Sequence, residues 1–254
     1  MLSIRKNDFM NVSKVPMNTD YPLDLDNQVL PKTPFAMGLV GQMGSGKTNL
    51  LCRLILGGEK EKSSFYNKKF DRVYFVGNMK TINCKKKIDL PEEQVFETLT
   101  VGVLDTILES VKDSDESVLL IIDDQINQLK RPDIRPYMCK VVYNMRHLCA
   151  SGDKCSSPHG LHIMITAQKY NKIPKELRTT LTHYAIFKPS KTDQKEFWEE
   201  HLSCDYNTWD SICRHVFDKK HNFIFYDGKQ SKFHRNFDEI DISEHGEDGL
   251  QMAS

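Results

Sequence analysis

Gly41-Gln42-Met43-Gly44-Ser45-Gly46-Lys47-Thr48 fits the pattern G-x-x-x-x-G-K-[ST] in full. Its flanks fit as well. Phe35-Ala36-Met37-Gly38-Leu39-Val40 is a continuous apolar stretch, as expected of a strand buried on both faces. Leu50, Leu51, Leu54 and Ile55 then recur at helical spacing until Gly57-Gly58 stops the helix. Strand, glycine-rich turn and helix together are the setting in which this pattern grips phosphate. Glycines let backbone N–H groups converge on a triphosphate without Cβ clashes, and the helix N-terminus adds partial positive charge. Lys47 is expected to reach the β- and γ-phosphates, and Thr48 to ligate Mg²⁺ through its hydroxyl. The nucleotide-binding set is therefore Gly41, Gln42, Met43, Gly44, Ser45, Gly46, Lys47, Thr48 and the adjoining Asn49. A plain strand-to-helix turn would leave the lysine, the hydroxyl and both flanks without a reason.

Working outward, Val73-Tyr74-Phe75-Val76, Val118 to Ile122, Leu161 to Ile165 and His183 to Phe187 read as further strands. Val103, Leu104, Ile107, Leu108 and Val111 mark an amphipathic helix, and Met138, Val141, Val142, Met145 and Leu148 another. Strands alternating with helices predict an α/β fold with a mostly parallel, doubly wound sheet, here of the P-loop NTPase, RecA-like kind. Residues 1–33, polar and carrying Pro16, Pro22 and Pro31, are expected as an arm and linker, and residues 34–190 as the core. Residues 191–237 are expected as a C-terminal extension: helices around Phe197, Trp198, Trp209 and Ile212, then a β-hairpin turning at Asp227-Gly228. Residues 238–254 read as a loose acidic tail.

Leu119-Leu120-Ile121-Ile122-Asp123-Asp124 has the form of a strand that ends in paired acids beside a phosphate loop. Asp123 is expected to complete the Mg²⁺ shell, and Asp124 to orient and deprotonate an attacking water. Gln168 closes the run Ile163-Met164-Ile165-Thr166-Ala167. A strand inserted between the phosphate loop and the acids would bring its amide to the γ-phosphate; a surface loop glutamine is the alternative. Arg146, in Asn144-Met145-Arg146-His147, complements a helix dipole or reaches a neighbouring subunit's γ-phosphate, and chemistry alone leaves the two readings even.

Composition bounds the partners. The 254 residues carry 35 Lys plus Arg against 35 Asp plus Glu, so net charge does not announce a nucleic-acid binder. The longest aliphatic run, Val118 to Ile122, falls far short of the ~20 residues of a membrane span. No apolar segment near Met1 predicts a signal peptide, and seven irregularly spaced cysteines suggest a reducing, intracellular setting. No Asn-Lys-x-Asp guanine reader is present: Asn67-Lys68-Lys69-Phe70 has Phe where the acid belongs.

With these residues in order, the chain resembles the genome-packaging ATPases of large DNA viruses, the poxvirus-like branch of the FtsK–HerA superfamily. The resemblance covers residues 34–227; the phosphate loop is generic, whereas Arg146-His147, Thr166-Ala167-Gln168 and Ile173-Pro174 through Arg178 make it specific. It implies an ATP-driven motor that assembles as a homo-oligomeric ring, a pentamer or hexamer, and moves double-stranded DNA into a capsid with a portal-like partner. The implied setting is the host cytoplasm or viral factory. It also implies Lys47, Thr48 and Asp123 for phosphate and Mg²⁺, Asp124 for catalysis, Gln168 as sensor and Arg146 as a finger supplied in trans. Many relatives have Glu where Asp124 stands, and the stretch after Arg178 departs from the family pattern, which leaves that arginine's role open. A nucleotide or small-molecule kinase, which uses the same phosphate loop to transfer phosphate, is the alternative function.

Weaker signals point less far. Lys85-Lys86-Lys87 and the loop bearing Lys60, Lys62, Lys68 and Lys69 suit either DNA phosphates or solvent, with solvent favoured. Cys149, Cys155, His159 and His162 match no usual zinc spacing. Trp198 and Trp209 suit packing better than base stacking.

Overall fold

A computed structural model describes residues 22–26, 28–57, 65–79, 90–150 and 159–241. The elements in chain order begin with β1 (Ala36–Val40), α1 (Lys47–Leu56), β2 (Arg72–Val76), β3 (Val95–Phe96), α2 (Val101–Val111) and β4 (Ser117–Ile122). Then come α3 (Ile126–Leu129), α4 (Arg135–Asn144), β5 (Gly160–Ala167), α5 (Lys175–Arg178), β6 (His183–Phe187), α6 (Lys191–His201) and α7 (Tyr206–Val216). The chain ends in β7 (Phe223–Asp227), β8 (Lys232–Arg235) and β9 (Asp238–Ile240).

The nine strands form one sheet in the order β3-β2-β4-β5-β1-β6-β7-β8-β9. From β3 to β6 every pairing is parallel; β7, β8 and β9 add on in antiparallel fashion. The expected α/β fold with a mostly parallel sheet is thus the fold observed. Strands β1, β4 and β5 are buried along their whole length because helices cover both faces. Side chains alternate between two cores, as strand geometry requires. Val118, Leu120 and Ile122 face the core of α2, α4, α6 and α7, where Ile107, Val141, Phe197 and Trp209 are buried. Leu119 and Ile121 face the other, with Leu51 and Leu54 of α1.

Several boundaries have visible causes. Thr100 caps α2 by accepting the Val103 N–H at 3.1 Å. The helical stretch expected across 191–217 is two helices, because Ser190 caps α6 and Asp205 caps α7 with side-chain oxygens. Trp209 donates to the Gln194 carbonyl at 2.9 Å and Trp198 to that of Cys204 at 2.7 Å, so both indoles anchor this helix pair. The hairpin turns over residues 228–231 rather than in two residues, and it extends the main sheet through β6. In the segment expected as linker, Leu23, Leu25 and Leu30 are buried on the α1 face, and the Tyr66 hydroxyl donates to the Pro31 carbonyl at 2.8 Å. Cys52 is disulfide-bonded, a departure from the uniformly free thiols expected, whereas Cys139, Cys149, Cys204 and Cys213 are free. Among the described residues no helix is long and apolar enough to cross a membrane.

Candidate active site

The parallel strands deliver the functional residues to one edge of the sheet. Val40 pairs with Ala167 and Ile122 with Ile165, so the loop after β1, the end of β5 and the acids after β4 lie at one level. Strand β5 sits between β4 and β1, which puts Gln168 between the acids and the glycine-rich loop. Gly41 N–H donates to the Ala167 carbonyl at 3.0 Å and Asp123 N–H to that of Val76 at 2.8 Å, fixing both exits from the sheet.

A cleft of about 630 Å³ opens there, lined by Met43 through Asn49, Asn78, Asp123, Asp124, Gln125, Thr166, Gln168 and His221. The loop turns through Gly46, whose φ of 113° is left-handed backbone that favours glycine. Lys47 Nζ donates to the Gly41 carbonyl and, at 3.1 Å, to that of Gln42, so it lies along its own loop. Burial lowers the Lys47 pKa, and Asp124 and Asp123 partly counter this. Ser45 Oγ is buried without a hydrogen-bond partner, which suits a loop that wraps an oxygen-rich ligand.

The acids are held by a threonine. Thr166 Oγ1 donates to Asp123 Oδ1 at 2.6 Å and accepts the Asp124 N–H at 3.0 Å. Burial raises the Asp123 pKa; the Thr166 hydrogen bond opposes this, and the neighbouring Asp124 charge adds to it. A Cβ on Gly77 would fall 2.7 Å from the Asp123 carbonyl oxygen, so the end of β2 must carry glycine for the acid strand to pass. Asp124 adopts φ 52°, a left-handed conformation that Asp tolerates better than most residues. Gln168 Nε2 donates to its carboxylate at 3.1 and 3.4 Å. The Thr48 hydroxyl and the Asp123 carboxylate are hard oxygen donors on one cleft, a set that fits Mg²⁺.

Other expected residues lie elsewhere. Arg146 is exposed in the turn after α4 and does not line the cleft. The adjacent Met145 carbonyl accepts the Leu161 N–H at the start of β5. That is the opposite end of the strand from Gln168, seven residues or about 23 Å away. Arg178 is also outside the cleft: it pairs with Glu200 at 2.6 Å and lies over the Tyr170 ring. His162 is buried between Phe35 and Phe70, with Ser117 Oγ at 3.2 Å from its Nε2. Lys69 pairs with Asp24 at 3.6 Å. Lys60, Lys62, Lys85 to Lys87, Cys155 and residues 242–254 of the acidic tail lie outside the described residues. Among the described residues, no group of three or more His, Cys, Asp or Glu is placed to hold a metal ion. Sequence reasoning missed His221, whose Nδ1 donates to the Ser45 carbonyl at 3.0 Å from 176 residues away; no local pattern signals it.

A phosphate loop, paired acids on a neighbouring strand end and a polar residue closing the strand between them define a P-loop NTPase. The chain matches the family described as Poxvirus A32 protein over residues 23–204, well over half its length, and it belongs to that family. Among solved structures it is similar to the genome packaging NTPase B204 from Sulfolobus turreted icosahedral virus 2 in complex with sulfate. That likeness has 15% identity and a TM-score of 0.55, and covers 84% of this chain and 100% of that one. The DNA-packaging ATPase B204 from Sulfolobus Turreted Icosahedral Virus gives 13% identity and a TM-score of 0.55, covering 79% and 96%. At these identities the likeness is one of fold. Among curated protein sequences there is no match.

Proposed function

We propose that this P-loop ATPase is an ATP-driven motor that moves double-stranded DNA into a viral capsid, acting as a homo-oligomeric ring inside the infected cell. Family membership and the fold shared with B204, described as a genome packaging NTPase, support the reading. The observation that carries it is the contact between Gln168 and the Asp124 carboxylate at the cleft mouth. An acid oriented by a strand-end amide can position and deprotonate water against a γ-phosphate. The loop amides cradle the phosphates, and Lys47 exchanges its carbonyl partners for phosphate oxygens. Thr48 and Asp123 would hold Mg²⁺, which offsets charge on the β- and γ-phosphates. Asp123 is kept in register for that role by Thr166. Gln168 lies where loss of the γ-phosphate would change its partners. The cleft lacks an arginine of its own, and a neighbouring copy's Arg146 completes it. A portal-like or capsid vertex protein is the partner on the receiving side.

The test is ATP hydrolysis by the full chain with and without double-stranded DNA, over a range of salt, alongside sizing with nucleotide. A motor gives DNA-stimulated hydrolysis that weakens as salt rises. Hydrolysis by a ring that is indifferent to DNA, or label transfer from ATP to a small acceptor by a monomer, would overturn the reading.

A further inference from the structure

A second cleft of about 530 Å³, within the range of small-molecule sites, lies on the other side of the phosphate loop from the acids. Met43, Gly44, Ser45 and His221 line both clefts, so the two are halves of one trough with the loop between them. Its walls are Phe187, Lys188 and Pro189 after β6, and residues 217–222 joining α7 to β7. The Phe187 ring packs under the loop: a Cβ on Gly46 would stand 3.2 Å from it. Asp123, Asp124 and Gln168 mark where the terminal phosphate lies, so the rest of a nucleotide must leave across the loop toward this second half.

We propose that the second cleft takes the nucleoside of the bound triphosphate, and that His221 is a positioning residue that holds the phosphate loop in its binding shape. The inference rests on the nucleotide-binding reading above, and not on DNA translocation. Ser45 O can only accept, so the Nδ1 of His221 carries the proton. This tether runs from the C-terminal extension to the loop, and a Cβ on Gly46 would stand 3.6 Å from the same nitrogen. The Asn222 amide is occupied by the Val216 carbonyl at 3.0 Å and Asp218 at 3.1 Å, and Asp218 is held by Arg235 at 2.8 Å. Those side chains brace the turn, which leaves the Phe217 ring and the Lys219 and Lys220 stems to meet the nucleoside.

Two substitutions separate the tether from backbone strain. His221 adopts φ 71°, which both Asn and Gly accept. His221→Asn keeps a donor at the position of Nδ1, whereas His221→Gly keeps only the backbone. Equilibrium binding of ATP and of inorganic tripolyphosphate, a probe without a nucleoside, is measured by calorimetry. The tether predicts that His221→Gly weakens both roughly five- to tenfold and that His221→Asn restores both. Wild-type affinities in the Gly variant would overturn it. The nucleoside cleft predicts that Phe217→Ala weakens ATP about tenfold and leaves tripolyphosphate unchanged. Equal effects on both ligands, or none, would overturn it. Because Phe217 also packs against the core, wild-type protein is photolabelled with 8-azido-ATP in parallel. Label within 187–189 or 217–222 supports the cleft, and label elsewhere overturns it. Binding without hydrolysis would sink the motor reading and leave this one standing.

Discussion

Asp124 does its proposed work only because three neighbours hold it. Its left-handed φ of 52° turns it out of the strand, Thr166 takes its N–H and Gln168 holds its carboxylate. Asn in its place keeps the size and the conformation and loses the base. Asp124→Asn is therefore expected to bind ATP within a fewfold of wild type while turnover falls by about 10²- to 10⁴-fold. Lys47→Ala acts one step earlier, because it removes the loop's own cation from the phosphates. It should abolish measurable ATP binding, as read by calorimetry, with the fold intact by circular dichroism. Asp is one methylene shorter than the Glu of many relatives, and the Gln168 contact shows how the reach is shared between strands. If Asp124→Asn lost binding as severely as turnover, the acid would be part of the cradle and not the base.

At the scale of elements, Arg178 joins the connection after β5 to α6. It pairs with Glu200 through two nitrogens at 2.6 and 2.7 Å, and Tyr170 donates to the same carboxylate at 2.6 Å. The Glu200 hydrogen bond raises the Arg178 pKa far beyond its usual range, with burial opposing. Removing the guanidinium leaves a largely buried carboxylate without its partner. Arg178→Ala is expected to cost about 3 kcal/mol. That corresponds to a melting temperature lower by about 8 °C in a chain of this size, measurable by calorimetry. An unchanged melting temperature would show that Tyr170 suffices to hold Glu200. This arginine also marks what a sequence can disclose. Strands β1, β4 and β5 were legible because burial on both faces leaves unbroken apolar runs, and the phosphate loop because its pattern is local. Strand β3, with two residues, and β9, with three, carry no period to read. Leu23, Leu25 and Leu30 sit among polar residues at no regular spacing, so their burial against α1 is decided by tertiary packing. The roles of Arg178 and His221 are set by partners 22 and 176 residues away, which no local pattern can encode.

The molecule as a whole carries buried histidines that must stay neutral. Burial lowers the His162 pKa from 6.5 to about 3, and that of His201 from 6.5 to about 4. Both bind protons in the unfolded chain before they can in the folded one. Their contribution is fully present above about pH 6.5 and is lost as pH falls toward 4, by about 1.4 kcal/mol per pH unit for each. Urea unfolding between pH 7.5 and 5 should show this slope, and His162→Gln should flatten it by about one proton. The same whole-molecule view governs Arg146, which the sheet's length holds about 23 Å from its own Gln168. No side-chain rotation spans that gap, so a catalytic arginine at this position must act on another copy. Arg146→Ala alone and Asp124→Asn alone should each lose hydrolysis. Mixed, they form rings in which an intact Asp124 site meets an intact Arg146 from the next subunit. Activity should then return, with a peak near equal proportions, in a coupled phosphate-release assay. If the mixture stays inactive while both variants still assemble, Arg146 serves its own helix end and the site is completed by some other group.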